Sequence, residues 1–501
     1  MQDGSSPMPV ITLAGDQADS VTWMVDALVH FLLIDFAIRV LLITFVLIRK
    51  SKQPQTALTW VILLMGLPIL GFVLYGLFGE ERFGYFRKKR HAAAVKRVDM
   101  PGVHANSVAE NRVALQMTSS QIASLAEQVS GSAPVSGNQI TLLGDSERFV
   151  TMLSADIRAA EEEVHLLFFI YLDDAAGQMV ADAMIEAAKK GVVCRLLVDA
   201  VGSKRFLRSK LVHTMREHGI EVVGALPVNP IRMLFSRLDL RNHRKIAVID
   251  GQIGYTGSNN LAEAAFAIKP DFAPWVDCSI RIDGPATKEL QILFIEDWHF
   301  ETGKLPEVPL NRQPKNREQG LPVQIIATGP NFYNEATTQI VQACIHQASH
   351  ELVLTTPYFV PDETTIKNLC VCARRGVQTT LVVPARNDSW MVAAASRSNY
   401  EPLLNAGVDI HEFNGGLLHA KTITIDREIG VVMSANLDRR SFNLNFECGG
   451  IIYDSDFAVQ LRDLQQSYIE RSGRIEEHEW LKRGLARRVG NTLAGFLSPI
   501  L

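Results

Sequence analysis

Residues 241–263 read RNHRKIAVIDGQIGYTGSNNLAE, and residues 416–438 read GLLHAKTITIDREIGVVMSANLD. Laid on each other without a gap at an offset of 176 residues (419 − 243), they align His243, Lys245, Asp250, Ile253, Gly254, Ser258, Asn260 and Leu261 with His419, Lys421, Asp426, Ile429, Gly430, Ser434, Asn436 and Leu437. So many identities at one offset mark an internal repeat. Between the Lys and the Asp stand Ile-Ala-Val-Ile in one copy and Thr-Ile-Thr-Ile in the other, which is strand composition. Positions i and i+2 of a strand share a face, so each His is expected to point with its Lys into one pocket.

The repeat extends upstream. Val164 to Leu172, a helical stretch and the run Gly191 to Asp199 (GVVCRLLVD) are echoed by Glu351 to Val360, a second helical stretch and Gly376 to Pro384 (GVQTTLVVP). Each strand, helix, strand unit predicts parallel pairing within its own half. Beyond about residue 135, short β-rich runs alternate with helical segments, which predicts an α/β fold. The expected architecture is two homologous α/β halves with mixed sheets sharing one active site. They span 96–310 and 321–501, with the polar stretch 305–320 (LPEVPLNRQPKNREQG) joining them.

The paired motif suits chemistry at phosphorus. A neutral imidazole can attack a phosphodiester, while the neighbouring ammonium and an amide from Asn260 or Asn436 donate to the non-bridging oxygens. A second histidine is needed to protonate the departing alkoxide and then to deprotonate the acceptor. Two half-sites facing each other supply both rings, giving His243, Lys245, Asp250, His419, Lys421 and Asp426 as the catalytic set. Asp277 and Glu447 occupy equivalent places, each before a Cys and at the start of a β-like run (WVDCSIRI and FECGGIIY). Each is expected to bond the far nitrogen of a histidine and fix its tautomer. Ser258 and Ser434 complete the supporting set.

Bulk properties bound the partners. A formal net charge of -4 over 501 residues argues against a protein that coats nucleic acid by bulk electrostatics. The cysteines Cys194, Cys278, Cys344, Cys370, Cys372 and Cys448 form no CxxC unit and read as reduced, buried thiols. Cys370 and Cys372, two apart on a helix, point to different sides, so no shared metal is expected. Neither metal nor cofactor is called for.

The N-terminal region, 1–95, is expected to hold a transmembrane helical hairpin. Ala57 to Phe78 runs 22 residues without a charge, long enough to cross a hydrocarbon core of roughly 30 Å. Gly66, Pro68 and Gly71 interrupt it, which lipid tolerates where neighbouring helices satisfy the freed backbone. The earlier apolar stretch, about 21–48, carries Asp26, His30, Asp35 and Arg39, spaced i,i+4 as two self-neutralising pairs. Arg82, Arg87, Lys88, Lys89, Arg90, Lys96 and Arg97 follow the second stretch and outnumber Arg49, Lys50 and Lys52 in the turn between the two. The larger cluster should lie inside, which puts the catalytic region on the cytoplasmic face of a multi-pass protein. From Trp480 to Leu501, Leu481, Leu485, Val489 and Leu493 form a stripe with Lys482, Arg483, Arg487 and Arg488 off it. That pattern fits a helix on anionic lipid and a helix packed on the catalytic domain equally.

These residues resemble the phospholipase D superfamily, whose motif is this His-x-Lys-x4-Asp carried twice. Within it the chain is similar to the bacterial cardiolipin synthases through RNHRK, TPYFVPD (ending at Asp362), LLHAK and SANLDRRSFNLNFE. The resemblance implies a metal-free, two-step exchange at the bacterial inner membrane. One phosphatidylglycerol forms a phosphatidyl-histidine on His243 and releases glycerol, and the hydroxyl of a second takes the phosphatidyl group with His419 as acid and base. The motifs fit equally a phospholipase that uses water and a synthase that uses ethanolamine- or serine-bearing lipids. A membrane-tethered nuclease fits the chemistry but not the hydrophobic segments or the acidic charge. Met433 departs from the family pattern, standing where Gly usually precedes Ser-Ala-Asn, and is expected to narrow the pocket.

Overall fold

In the computed structural model the described residues are 15–51, 54–79, 112–113, 115, 117–227, 239–266, 268–306, 318–330 and 335–496. The chain divides into two compact units, Met1–Glu80 and Glu81–Leu501. Both catalytic halves therefore lie in one unit. The basic cluster after Gly79, most of the linker and the last five residues fall outside the described residues.

In the first unit, the earlier apolar stretch forms the continuous helix, Gly15–Arg49. Among the described residues its portion Thr22–Arg49 is the one helix long and apolar enough to cross a membrane. Ala57 to Phe78, expected as one span, is instead broken into Pro54–Gly66, Pro68–Leu74 and a π turn at Tyr75–Gly79. Pro68 is the cause: it has no N–H to donate and drives the residue before it out of helical geometry, and Leu67 stands at φ −130°, ψ 83°. Arg39 answers the break, donating from Nη1 to the Met65 carbonyl at 3.0 Å while pairing with Asp35 at 2.5 Å. His30 bonds the backbone oxygen of Asp26, not its carboxylate. Val46, Ala57, Trp60, Leu64 and Tyr75 pack the two segments together.

In the second unit the repeat becomes two strand series of the same order. The first runs Glu221–Ala225, Val193–Asp199, Glu163–Phe168, Ile246–Ile249, Ile253–Gly257, Ser279–Asp283 and Val135–Leu143. The second runs Asp409–Phe413, Gln378–Pro384, Glu351–Thr355, Thr422–Ile425, Ile429–Met433, Asn445–Ile452 and Leu321–Thr328. The predicted strand, helix, strand units pair in parallel as expected, Glu163 against Val193 and Glu351 against Gln378. The motif strands pair antiparallel with their neighbours, so both series are mixed. Val135–Leu143 and Leu321–Thr328 join the series edge to edge, antiparallel.

Local chemistry sets these elements. Asp174 and Asp362 cap the crossover helices by accepting from Gly177 and Thr365. Gly191 and Gly376 end those helices at φ 91° and 89°, a conformation costly for any residue with a Cβ. One apolar cluster draws on both series, with Leu167, Ile246, Ile280, Val382, Val432 and Ile452 among its buried members. Met117–Ser130, counted by position with the first half, packs on the second, Ile122 and Ala126 lying among Ile340, Val341 and Ile425. The cysteines are all free and buried.

Candidate active site

His243 and His419 sit just ahead of the strands Ile246–Ile249 and Thr422–Ile425, in extended chain and not inside the strands themselves. The i, i+2 expectation still holds for the first copy, since His243 and Lys245 both lie against Phe169, with ring centroids 4.8 Å apart and Nζ 5.4 Å from the Phe169 centroid. Each lysine also turns back to its own histidine, Lys245 Nζ donating to the His243 carbonyl at 2.7 Å and Lys421 Nζ to that of His419 at 2.6 Å.

The two motifs meet through short ladders that cross between the halves. Arg241–Asn242 runs parallel to Asn445–Phe446, and Leu417–Leu418 runs parallel to Trp275–Val276. The His243 N–H donates to the Phe446 carbonyl at 2.9 Å, and the His419 N–H to that of Val276 at 2.7 Å. Each histidine is thereby set beside the other half's acid. His243 Nδ1 meets Glu447 at 2.9 and 3.0 Å, while His419 Nδ1 meets Asp277 at 2.5 Å. Sequence position alone does not reveal this exchange of partners.

The serines hold the acids. Ser258 Oγ donates to Asp277 at 2.7 Å and accepts from the Cys278 N–H, and Ser434 Oγ donates to Glu447 at 2.5 Å and accepts from the Cys448 N–H. Met433 leaves this role untouched. Successive strand residues face opposite sides, so with Ser434 toward the site Met433 turns into the second half's core, and the expected narrowing is not seen. Opposite Met433 in the ladder is Gly449, whereas Gly257 faces Ser279 in the first half. The glycine that gives the room has changed strands. Asn260 Oδ1 accepts from the Ile170 N–H at 3.2 Å, and Asn436 Nδ2 donates to Asp438 at 3.0 Å.

Asp250 and Asp426 are set apart from the histidines. Roughly 3.3 Å per extended residue places Asp250 about 16 Å along the chain from Lys245. Its carboxylate accepts from the N–H groups of Glu161, Glu162 and Glu163 at 2.8 to 2.9 Å, and that of Asp426 accepts from Ser349, His350 and Glu351 at 2.7 to 2.8 Å. Both stand at φ 52°, where Asp is among the better tolerated residues. These carboxylates bind the turn that feeds each half's central parallel strand, so they shape the frame and do not reach the reacting atoms.

Burial pushes both imidazoles down to about 4, against the raising effect of Glu447 on His243 and of Asp277 on His419. Burial would raise the Glu447 carboxyl, but His243, Lys245 and Ser434 outweigh it and hold it at about 2. Asp277 is lowered by His419, Lys421 and Ser258 in the same way, also against burial. Burial lowers Lys245 to about 8 and Lys421 well below its usual range. Lys421 acts on His243 and Lys245 on His419, so the charges of both halves bear on one site. At neutral pH each ring is neutral, donates from Nδ1–H to an ionised carboxylate and presents the Nε2 lone pair.

Several contributors escaped the sequence reading. Phe169 and Trp275 flank the two rings, Trp275 at 4.7 Å from His419. Asn445 Nδ2 donates to Glu447 at 3.1 Å. Arg244, fully buried, pairs with Asp297 at 2.8 Å and donates to the Thr328 and Glu447 carbonyls. Asn445 and Arg244 lie inside SFNLNFE and RNHRK, so the signal was position within a motif. Phe169 had none beyond standing at the end of a parallel strand. Among the described residues no group of three or more His, Cys, Asp or Glu is placed to hold a metal ion.

Comparison with known proteins agrees with this geometry. The family described as cardiolipin synthase, PLD-like domain, matches residues 153–298 and 341–468, and that described as phospholipase D-nuclease N-terminal matches residues 38–80. The chain is 38% identical over 472 residues to cardiolipin synthase A of Yersinia pseudotuberculosis, covering 92% of this chain and 96% of that protein. The same figures hold for cardiolipin synthase A of Yersinia pestis. Among solved structures, a phosphatidylserine synthase of Haemophilus influenzae aligns with a TM-score of 0.57 at 15% identity, over 76% of this chain and 98% of that one, a likeness of fold.

Proposed function

This chain belongs to the bacterial cardiolipin synthases of the phospholipase D superfamily, and we propose that it joins two phosphatidylglycerol molecules into cardiolipin and glycerol through a phosphatidyl-histidine. The observation that carries the mechanism is the crossed pairing of His243 with Glu447 and of His419 with Asp277. It supports two equivalent rings, each with Nδ1–H on an acid and Nε2 free to react, acting together as a double displacement at phosphorus requires.

His243 Nε2 attacks the phosphorus of the first lipid. The bond from phosphorus to the glycerol oxygen breaks, and His419 delivers a proton to that oxygen. The buried phosphodiester anion favours the imidazolium form, so His419 takes up its proton as the substrate enters. His419 then removes the proton from the hydroxyl of the second phosphatidylglycerol, whose oxygen attacks phosphorus and breaks the bond to nitrogen. Lys245 and Lys421 balance the charge on the non-bridging oxygens.

The protein works as a multi-pass protein of the bacterial cytoplasmic membrane with its catalytic unit on the cytoplasmic side, a reading supported by the basic residues from Arg82 to Arg97. Incubation of the purified protein in mixed micelles with phosphatidylglycerol alone, followed by mass analysis of the lipids, tests the activity. Cardiolipin with free glycerol is expected. Phosphatidic acid without cardiolipin overturns the reading.

A further inference from the structure

Trp390, at 76% exposure, is the most exposed large apolar side chain among the described residues. It opens the helix Trp390–Ser398, whose start is fixed in place: Ser389 caps it, and Asp388 just before it binds Lys269 of the first half and accepts from Tyr358 of the second at 2.7 Å. A tryptophan held outward on so firmly tied a turn is a presented group and not a frayed one.

A second helix, Leu485–Phe496, lies against the first. Ala494 is buried with Ala395 and Val360, and Gly495 approaches so closely that a Cβ there would stand 2.8 Å from Ser398 Oγ. Val489 and Leu493, one turn apart, face outward at 47% and 60% exposure. The long stripe expected from Leu481 onward is interrupted, because Leu481 ends a separate short helix, Glu477–Leu481, and a turn follows. What remains is a helix that packs by one face and offers apolar residues on another, so neither of the two sequence readings excludes the other.

From Lys482 to Leu501 the sequence has Lys482, Arg483, Arg487 and Arg488 and no acidic residue, in a chain of net charge -4. Exposed Trp390, Val489 and Leu493, the last two in a segment whose sequence carries only positive charge, suit the surface of an anionic bilayer, apolar just below a layer of negative headgroups. The chain brings a bilayer within reach through Thr22–Arg49. Arg386, four residues before Trp390, lines a cleft of about 120 Å³ with Asp271, Phe272, Asn414 and Gly416, and Gly416 stands three residues before His419 in the chain.

We propose that Trp390–Ser398 and Leu485–Phe496 form a docking shelf that rests on the anionic bilayer surface. The proposal rests on the reading that membrane lipids are the substrates.

The test uses the full-length protein in nanodiscs of phosphatidylglycerol and phosphatidylcholine, the latter brominated near the headgroup end of its chains. Bromine quenching of tryptophan fluorescence is compared between the protein and Trp390→Phe. The quenched intensity should drop in the variant by the contribution of one tryptophan, and an unchanged quenched intensity overturns the proposal. In parallel, Val489→Ser/Leu493→Ser should raise KM for phosphatidylglycerol in bilayers about tenfold, the equivalent of roughly 1.4 kcal/mol. Its kcat on dispersed short-chain phosphatidylglycerol should stay unchanged. An unchanged bilayer KM, or an equal loss on both substrates, counts against the shelf. Quenching that depends on Trp390 in a protein that makes no cardiolipin would uphold the shelf and refute the functional reading.

Discussion

Replacing Glu447 by Gln changes one oxygen to an NH2 group and should nearly abolish turnover, for reasons set by its neighbours. Glu447 Oε1 receives Asn445 Nδ2, Oε2 receives the Ser434 hydroxyl, and His243 Nδ1 lies within 3.0 Å of both oxygens. With its oxygen kept toward Asn445 Nδ2, a Gln amide puts its NH2 on the side of Ser434 and His243, so an acceptor of the Nδ1–H is replaced by a donor. That pairing favours the tautomer with the proton on Nε2, which removes the lone pair that attacks phosphorus. The comparable acid-to-amide change in a serine protease triad costs about 10⁴-fold in kcat through the wrong tautomer, roughly 5 kcal/mol of barrier. We expect a loss of about 10³- to 10⁴-fold for Glu447→Gln, read as initial rates of cardiolipin formation in mixed micelles with unfolding curves in parallel. Asp277→Asn should act likewise on His419. A folded Glu447→Gln protein that keeps kcat within tenfold of the parent would refute the tautomer argument.

Ser434→Ala leaves the Cys448 N–H without this acceptor and Glu447 with one donor fewer, and kcat should fall about tenfold, close to the value of one hydrogen bond to a charged group; a rate equal to the parent's would show that Ser434 does not position the acid. Asp426→Ala releases three backbone N–H groups, two of them in exposed residues, so unfolding free energy should drop by about 2 kcal/mol while kcat per folded molecule stays within about threefold; a large kcat loss at full stability would return Asp426 to the catalytic set. Burial holds both rings at about 4 against an ordinary 6.5, so the unfolded chain binds more protons and stability is lost as pH falls from 6.5 toward 4. At pH 5 the loss is about 2 kcal/mol per ring, from about 1.4 kcal/mol per pH unit below 6.5. Denaturant unfolding at pH 7.5 and 5 should show this loss in the parent and much less of it in a His243→Asn/His419→Asn protein, and equal pH sensitivity in the two would contradict the buried-neutral assignment.

What the sequence reveals best is whatever depends on periodicity. The offset of 176 carries Ile246–Ile249 onto Thr422–Ile425 and Ile253–Gly257 onto Ile429–Met433, residue for residue, because β-branched runs and tight turns are local choices. The pairing of an acid in one half with a histidine in the other is not local. Asp277 and Glu447 stand out as equivalent, but alternation along a strand states a face and not which partner lies across the interface. The motif aspartates mislead for a related reason, since fixed spacing from a histidine looks like membership of the site. Their positive φ and three amide donors show what the spacing is for, a turn that holds the adjacent parallel strand. Hydropathy likewise ranks the N-terminal segments by charge and misses the backbone. Arg39 counts against the first segment in such a ranking, yet it is the group that satisfies Met65 where Pro68 breaks the second.

The near symmetry of the site bears on which histidine attacks. Both rings are neutral at pH 7, both present Nε2, and both are lowered to about 4, so protonation does not separate nucleophile from acid. The difference lies in what holds the backbone beside each ring. Behind His243, Arg244 ties Asp297 to the Thr328 and Glu447 carbonyls, and Asn242 bonds both Asp297 and Asp199, a buried network that spans the two halves. The position equivalent to Arg244 is Ala420, which has no side chain to build such a network. A nucleophile must be held within a few tenths of an ångström of its line of attack, while a proton carrier serves two oxygens in succession and gains from some freedom. The His419 ring has the shorter bond to its acid, 2.5 Å against 2.9 Å, so the asymmetry lies in the backbone beside His243, which the network ties across the two halves, and on that ground we assign attack to His243 and proton transfer to His419.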